Sequence, residues 1–286
     1  MINIINETNP TALAAIMIQS LLCFDVKKIP FSLTSKHSPD TSYKKVRKQL
    51  ISFFAKNNID YQTKYAFLKE YKLQDLFNAA SDPDFNSEVS ELFSKYHFNE
   101  FLDTVKPFID ENFEKNAAII KQYLPALLKA LGINEDITLY LNFVPINLQS
   151  GAHSEGSRPA FCIGYYEFYL KHMRYDVLLH EMCHALINTF MNELSSDTTI
   201  VPFEVYENKP FEDIHVFQSE VLARVFTAFM MHRGQMPDHI KTLKFYEFMG
   251  WQQISKIFVS FDLLVRNKAY DIINDRNALI EELSIK

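Results

Sequence analysis

The sequence predicts a mainly helical α+β protein, and three observations carry that expectation. Apolar stripes recur at helical spacing along most of the chain. β-forming residues concentrate in two short runs after residue 132. Glycine is scarce, at 6 residues beside 25 Phe and 14 Tyr. So few glycines do not supply the many tight turns of a sandwich or barrel. With only 11 Pro, the composition also excludes collagen-like, low-complexity and largely disordered chains. The 286 residues suffice to bury one large core or two smaller ones. A boundary near residue 132 divides a helical region, 1–132, from an α+β region, 133–286.

The elements follow in chain order. Ala12 to Phe24 is apolar enough to resemble a signal-peptide core, yet no Lys or Arg precedes it and Gln19 and Ser20 interrupt it. It is shorter than the ~20 residues a membrane span requires, so it reads as a buried helix started by Asn9-Pro10-Thr11. Tyr43 to Lys56 sets Val46, Leu50, Phe53 and Phe54 on one face and lysines on the other. Ser87 to Tyr96 carries Val89, Leu92 and Phe93 as its stripe, with Ser87 as its start. Asn116 to Leu131 forms a helix kinked at Pro125 and stopped by Gly132, so that residues 1–132 read as consecutive helices.

The texture changes after Gly132. Ile137 to Ile146 and Ala160 to Tyr166 read as strands. Gln149 to Ser157 between them reads as a loop. Gly151, Gly156 and Gly164 fall in this stretch and point to a bulge or a close backbone approach. Tyr175 to Phe190, Val216 to Met231 and most of Thr242 to Glu282 are expected to be helical, with Pro202, Pro210 and Pro237 in the connecting loops. Trp251 and the cluster Phe245, Tyr246 and Phe248 read as core.

Charge and cysteine usage narrow the function. A net charge of −6, from 29 Lys+Arg against 35 Asp+Glu, disfavours nucleic acid or an anionic membrane as a partner held by bulk electrostatics. Cys23, Cys162 and Cys183 are too few and too scattered for a disulfide framework or a C-x-x-C zinc site. With no export signal and no membrane-length segment, a cytoplasmic location is expected.

The chemistry lies in Val177 to Ile187, which holds His180-Glu181-Met182-Cys183-His184 inside an apolar helical run. Residues four apart share a helix face, with Cβ atoms ~5–6 Å apart, so both imidazoles reach one Zn²⁺. Glu181, one residue round from His180, flanks that face as the general base for a water made acidic by the ion. The flanking residues are almost all apolar. Two imidazoles and a carboxylate buried without partners would cost several kcal/mol, and a cation removes that cost. A third ligand is then required. Glu220, set among Phe217, Val221, Leu222 and Val225, is the leading choice, with Arg224 one turn later to fix its carboxylate. His215 is the reserve, with Asp213, Glu212, Glu207 and Glu204 behind it.

His180, Glu181 and His184 followed by Glu220 resemble the site of gluzincin-type zinc metallopeptidases. Ser219 to Arg224 is similar to the glutamate-bearing helix of little-characterised bacterial HExxH proteins. The resemblance covers residues 137–232. It implies a zincin-like core, a small sheet beside the HExxH helix, whose edge strand near Ala160 to Tyr166 would pair with an extended peptide. Leu178 to Ala185 is also similar to the active helix of SprT-like proteases, which take a third histidine; His215 would fill that place here. Peptidases of the gluzincin type add a Tyr or His donor to the oxyanion, for which Tyr246, His232 and His239 are candidates. The resulting expectation is a zinc-dependent peptidase acting on peptide or protein substrates. A metal-stabilised protein-binding module without catalysis is the competing class, since the N-terminal helices exceed what a minimal zincin needs.

Overall fold

A computed structural model describes residues 1–6, 9–23, 41–79, 82–134, 136–146, 151–155, 158–164, 175–190, 214–235, 239–267 and 279–284. Helix dominates, with one small sheet, so the mainly helical α+β class holds. The chain forms two compact units, each made of separate stretches of sequence. One comprises Met1–Asn3, Ala118–Thr138 and Asp176–Lys286; the other comprises Ile4–Ala117 and Leu139–Tyr175. Residue 132 lies inside the first of these.

The second unit begins with strand β1 (Ile2–Ile5, whose first residues belong to the other unit) and helix α1 (Pro10–Cys23). The Asn9 carboxamide oxygen accepts from the Thr11 and Ala12 amides at 2.8 and 3.4 Å, and Pro10 supplies the first helical position. Residues Ala12 to Leu21 of α1 are all buried, as expected of a core helix. Gln19 explains how a polar residue survives there. Its Nε2 donates to the Leu68 and Tyr71 carbonyls, both at 2.7 Å, and so caps the end of a short 3₁₀ turn, Ala66–Glu70. Ser20 donates to the Ile16 carbonyl at 2.8 Å. Helices α2 (Thr41–Lys56), α3 (Tyr61–Lys64), α4 (Leu73–Ala79) and α5 (Pro83–Ser94) follow. The buried rings of Phe54 and Phe98 belong to this unit's core, and the partly buried ring of Phe53 packs edge to face against both.

Two expectations for this region need correcting. Residues 1–132 are not all helical, because β1 enters the sheet beside β2 (Ile137–Val144). An isolated four-residue run gives no periodicity to read, and its partner lies more than 130 residues away. The helix expected from Ser87 begins instead at Pro83. The Asp82 carboxylate accepts from the Asp84 and Phe85 amides at 2.9 and 3.3 Å, a stronger cap than a mid-helix serine.

Helix α6 (Phe98–Ala130) runs through both Pro107 and Pro125 as one element, so it is much longer than Asn116 to Leu131. The Asn112 and Asn116 amides donate to the carbonyls one turn back, each at 2.8 Å, and keep these buried polar groups satisfied. Gly132 ends it as expected. At φ 70°, it lets Ile133 N reach the Leu128 carbonyl at 2.9 Å and its own N reach Lys129 at 3.3 Å.

The sheet has the order β1-β2-β4-β3, with β3 (Gly151–Glu155) and β4 (Arg158–Gly164). β2 and β4 run parallel, Tyr140 opposite Ala160, and β3 runs antiparallel to β4, Glu155 opposite Arg158. The expected loop 149–157 therefore contains a strand, and β4 is an interior strand. The substrate-edge role expected of Ala160 to Tyr166 fails on this topology, because both its hydrogen-bonding edges are taken by β2 and β3. Gly151 sits in regular register with Cys162, and a Cβ there would make ordinary contact with Leu73 at 3.9 Å, so no bulge requires it. β2 is buried along nearly its whole length, as a parallel-paired strand covered on both faces should be.

Apart from the first residues of β1 and β2, the first unit is helical in its described part: it holds the end of α6, α7 (Asp176–Phe190), α8 (Ile214–Arg233), α9 (His239–Phe248) and α10 (Ile254–Asn267). α8 is its centre. Its face packs on α7, and its Phe226 and Phe229 pack on Phe261 of α10 at 5.2 and 5.1 Å between ring centroids. Asp262, buried in α10, accepts from Arg233 at 2.8 Å and Arg266 at 2.6 Å. Phe245 and Phe248 depart from the expected core cluster, being 41% and 85% exposed on α9, whereas Tyr246 and Trp251 are buried. Among the described residues no helix is long and apolar enough to cross a membrane.

Candidate metal centre

Among the described residues, the site is built from the α7–α8 pair and the end of α9. On α7 the apolar residues Leu178, Leu179, Met182, Cys183, Ala185 and Leu186 are buried, so the intervening ring-bearing face is turned toward α8. His180 and His184, one turn apart, present their rings at 4.6 Å between centroids and 89° to one another. Their Nε2 atoms stand 3.0 Å apart. Glu220 of α8 brings Oε1 to 3.3 Å from His184 Nε2 and Oε2 to 3.5 Å from His180 Nε2. These three residues form a group able to hold a metal ion, and among the described residues no other group of this kind occurs.

The distances test whether zinc would fit. Ligand atoms ~2.0–2.1 Å from a tetrahedral ion lie about 3.3–3.4 Å from one another; the ring nitrogens are 3.0 Å apart, and each histidine has one Glu220 oxygen at 3.3 Å (Oε1, His184) or 3.5 Å (Oε2, His180), separations close to that value. Two ring nitrogens and a carboxylate oxygen within 4.8 Å of one another are also a donor set zinc accepts. The protonation states agree. Burial, above all, brings the His180 pKa down to about 4, with His184 and Arg224 adding to it and Glu220 opposing, so the ring is neutral near pH 7 with a lone pair to give. Burial pushes Glu220 up, but its contacts with His180, His184 and the Arg224 guanidinium more than reverse this, holding the carboxyl well below the usual carboxylate range. It is ionised.

The surrounding contacts orient the ligands. Ser219 Oγ lies 2.9 Å from His184 Nδ1, so with Nε2 facing the site the Nδ1–H donates to that hydroxyl. Arg224 donates through Nη1 to the Glu220 carboxylate and, at 2.8 Å, to the Glu220 main-chain oxygen. Its guanidinium lies 3.8 Å over the Trp251 ring and 5.5 Å from that of Tyr246. Cys183 faces away from solvent, takes a weak bond from Thr227 Oγ1 at 3.8 Å, and burial pushes its thiol well above the usual range; it is an inert packing residue.

Each sequence-derived candidate can now be placed. His180, His184 and Glu220 converge, and Arg224 holds Glu220 as anticipated. Glu181 sits half-buried on α7, one residue beyond the first ligand. Tyr246 is buried beside the Arg224 guanidinium. His232 lies twelve residues along α8 from Glu220, about 18 Å at helical rise, and its ring meets that of His239 at 4.7 Å, so this pair stands apart from the ligands. His215 lies in the first turn of α8, but its side chain is outside the described residues, as are Glu204, Glu207, Glu212 and Asp213. Ser219 and Trp251 are the contributors that sequence reasoning missed. A hydroxyl beside a buried glutamate was the only signal for the first, and the second had none.

The described fold and site thus define a helical α+β protein carrying a two-histidine, one-carboxylate ligand group. Comparisons with protein-family models, curated proteins and solved structures return no match to this chain.

Proposed function

We propose that the protein is a zinc-dependent peptidase hydrolysing peptide bonds in a peptide or protein substrate, built on a zincin-like core. The observation that carries this reading is the convergence of His180 Nε2, His184 Nε2 and the Glu220 carboxylate, whose Oε1 lies 3.3 Å from His184 and whose Oε2 lies 3.5 Å from His180, with the two ring nitrogens 3.0 Å apart. When bound, zinc supplies a Lewis acid that makes water nucleophilic near neutral pH and polarises a carbonyl. His180 and His184 would hold the ion through their ring nitrogens, and Glu220 would add the third ligand and one negative charge. Glu181, placed between the two histidines in H-E-x-x-H, takes the proton from the attacking water and returns it to the departing amine. Tyr246 is the candidate donor to the oxyanion. A carboxylate as third ligand supports the gluzincin-like reading over the SprT-like one, which calls for a histidine.

The test is metal analysis of the purified full chain. About one zinc per chain is expected, lost in His180→Ala and in Glu220→Ala. Wild-type protein that takes up no zinc, or His180→Ala with unchanged metal content, defeats the proposal. A fourth side-chain ligand in place of an exchangeable water would favour the binding module instead.

A further inference from the structure

We propose that Arg224, seated on Trp251, is a positioning residue that fixes Glu220 as a one-oxygen ligand and thereby keeps a coordination position open. The proposal rests on the metal-site reading above. Glu220 has two carboxylate oxygens facing the histidines, and a carboxylate with both oxygens free can close on a cation with both. Each oxygen faces one ring, Oε1 at 3.3 Å from His184 Nε2 and Oε2 at 3.5 Å from His180 Nε2, but Oε2 already accepts a charge-assisted bond from Arg224 Nη1, which leaves Oε1 as the oxygen free to ligate. The same Nη1 donates to the Glu220 main-chain oxygen at 2.8 Å, so the guanidinium registers the carboxylate against its own backbone.

An arginine one turn from a glutamate on an open helix would exchange this contact freely with water. Three features prevent that here. Arg224 is 15% exposed and Glu220 22%, so little water reaches the pair. The guanidinium carbon lies 3.8 Å over the Trp251 ring, with the Tyr246 ring nearby at 5.5 Å. Trp251 is itself placed by the end of α9. Gly250, at φ 87°, folds the chain back so that Trp251 N reaches the Tyr246 carbonyl and Gly250 N the Glu247 carbonyl, both at 2.9 Å. The ring then stacks with Phe217 at 15° and 6.0 Å between centroids. A left-handed residue that only glycine adopts at little cost therefore delivers the shelf on which the arginine lies.

The experiment uses cobalt(II), whose visible absorption reports coordination number, titrated into the chelator-stripped full chain. Wild type should give the intense bands of four-coordinate cobalt. Arg224→Met should weaken and shift those bands toward higher coordination and loosen cobalt about 10–100-fold, the usual effect of losing a ligand-orienting group. Trp251→Leu, which keeps the charge but removes the shelf, should move the spectrum in the same direction by less. Arg224→Lys should recover affinity only in part and leave the spectrum altered, since an ammonium cannot lie flat on the Trp251 ring and so is not held in one place against the carboxylate. A wild-type spectrum and affinity in Arg224→Met, or full recovery of both by Arg224→Lys, overturns the proposal. If Arg224→Met does not fold by far-UV circular dichroism, an unchanged spectrum in Trp251→Leu overturns it. Wild-type protein that binds no cobalt at all instead sinks the metal-site reading on which the proposal stands.

Discussion

His184 Nε2 and Glu220 Oε1, thirty-six residues apart in the chain, lie 3.3 Å from each other across the α7–α8 contact. Neither helix alone has a reason to bury its polar group. Facing each other, with His180 at 3.0 Å from His184, they make a group of donor atoms able to hold a cation.

Glu181→Gln separates binding from chemistry. The amide keeps the size of the side chain and leaves His180, His184 and Glu220 untouched, so metal content should match wild type. Hydrolysis of an unstructured protein substrate should fall about 10²–10⁴-fold, the usual contribution of a general base. Retained turnover at full metal occupancy would assign the proton transfer to another group.

Ser219→Ala removes the hydroxyl at 2.9 Å from His184 Nδ1. The ring loses its orienting acceptor, and zinc affinity measured by competition with a chromogenic chelator should drop about 10-fold or more. Thermal stability of the metal-free protein should change little. A change in stability without a change in affinity would make Ser219 a packing residue only.

Acid should destabilise the metal-free protein through His180. Its pKa is about 4 in the folded chain against the usual 6.5 unfolded, so between these values the unfolded state binds the extra proton. The stabilisation of a neutral buried ring is complete above pH 6.5 and is lost as pH falls toward 4. In chelator-treated protein, the melting temperature of wild type should fall more steeply over this window than that of His180→Gln. Parallel profiles for the two would show that the ring titrates alike folded and unfolded.

Asp262→Asn tests the clamp on α10. Arg233 at 2.8 Å and Arg266 at 2.6 Å would each lose a charged acceptor, but both guanidiniums are partly solvated, so the cost should be about 1–3 kcal/mol by urea denaturation. Zinc affinity should be unaffected, because this carboxylate is not among the ligand group. An unchanged midpoint would reduce the clamp to a surface ion pair.

Gly234→Ala tests a close approach. A Cβ at this position would fall inside the Tyr123 ring and press on the Met230 carbonyl at 3.1 Å. The aromatic ring of α6 must then shift, at a cost of about 1–3 kcal/mol in unfolding free energy. Tyr123→Leu should restore most of that loss by making room; an undiminished loss in the double variant would place the strain elsewhere.

What the amino-acid order fixes by itself is local. The i, i+4 spacing of His180 and His184 sets both rings on one face of α7 whatever surrounds them. Asn9-Pro10 starts α1, and Gly132 stops α6, because caps depend on residues a few positions apart. Glu220 was legible as a carboxylate stranded in an apolar run, an anomaly visible without coordinates. The remainder was decided by contacts between distant segments. β1 and the polar strand Gly151-Ala152-His153-Ser154-Glu155 exist because neighbouring strands complete their backbone hydrogen bonds, and neither carries a periodicity of its own. The same pairing makes β4 interior, where the analogy expected an edge. Ser219 against His184 and Trp251 beneath Arg224 likewise arise only when α7, α8 and the end of α9 pack. Helical spacing is written into a segment, whereas the partner that satisfies a buried nitrogen or guanidinium is chosen by whichever distant surface the packed core brings beside it.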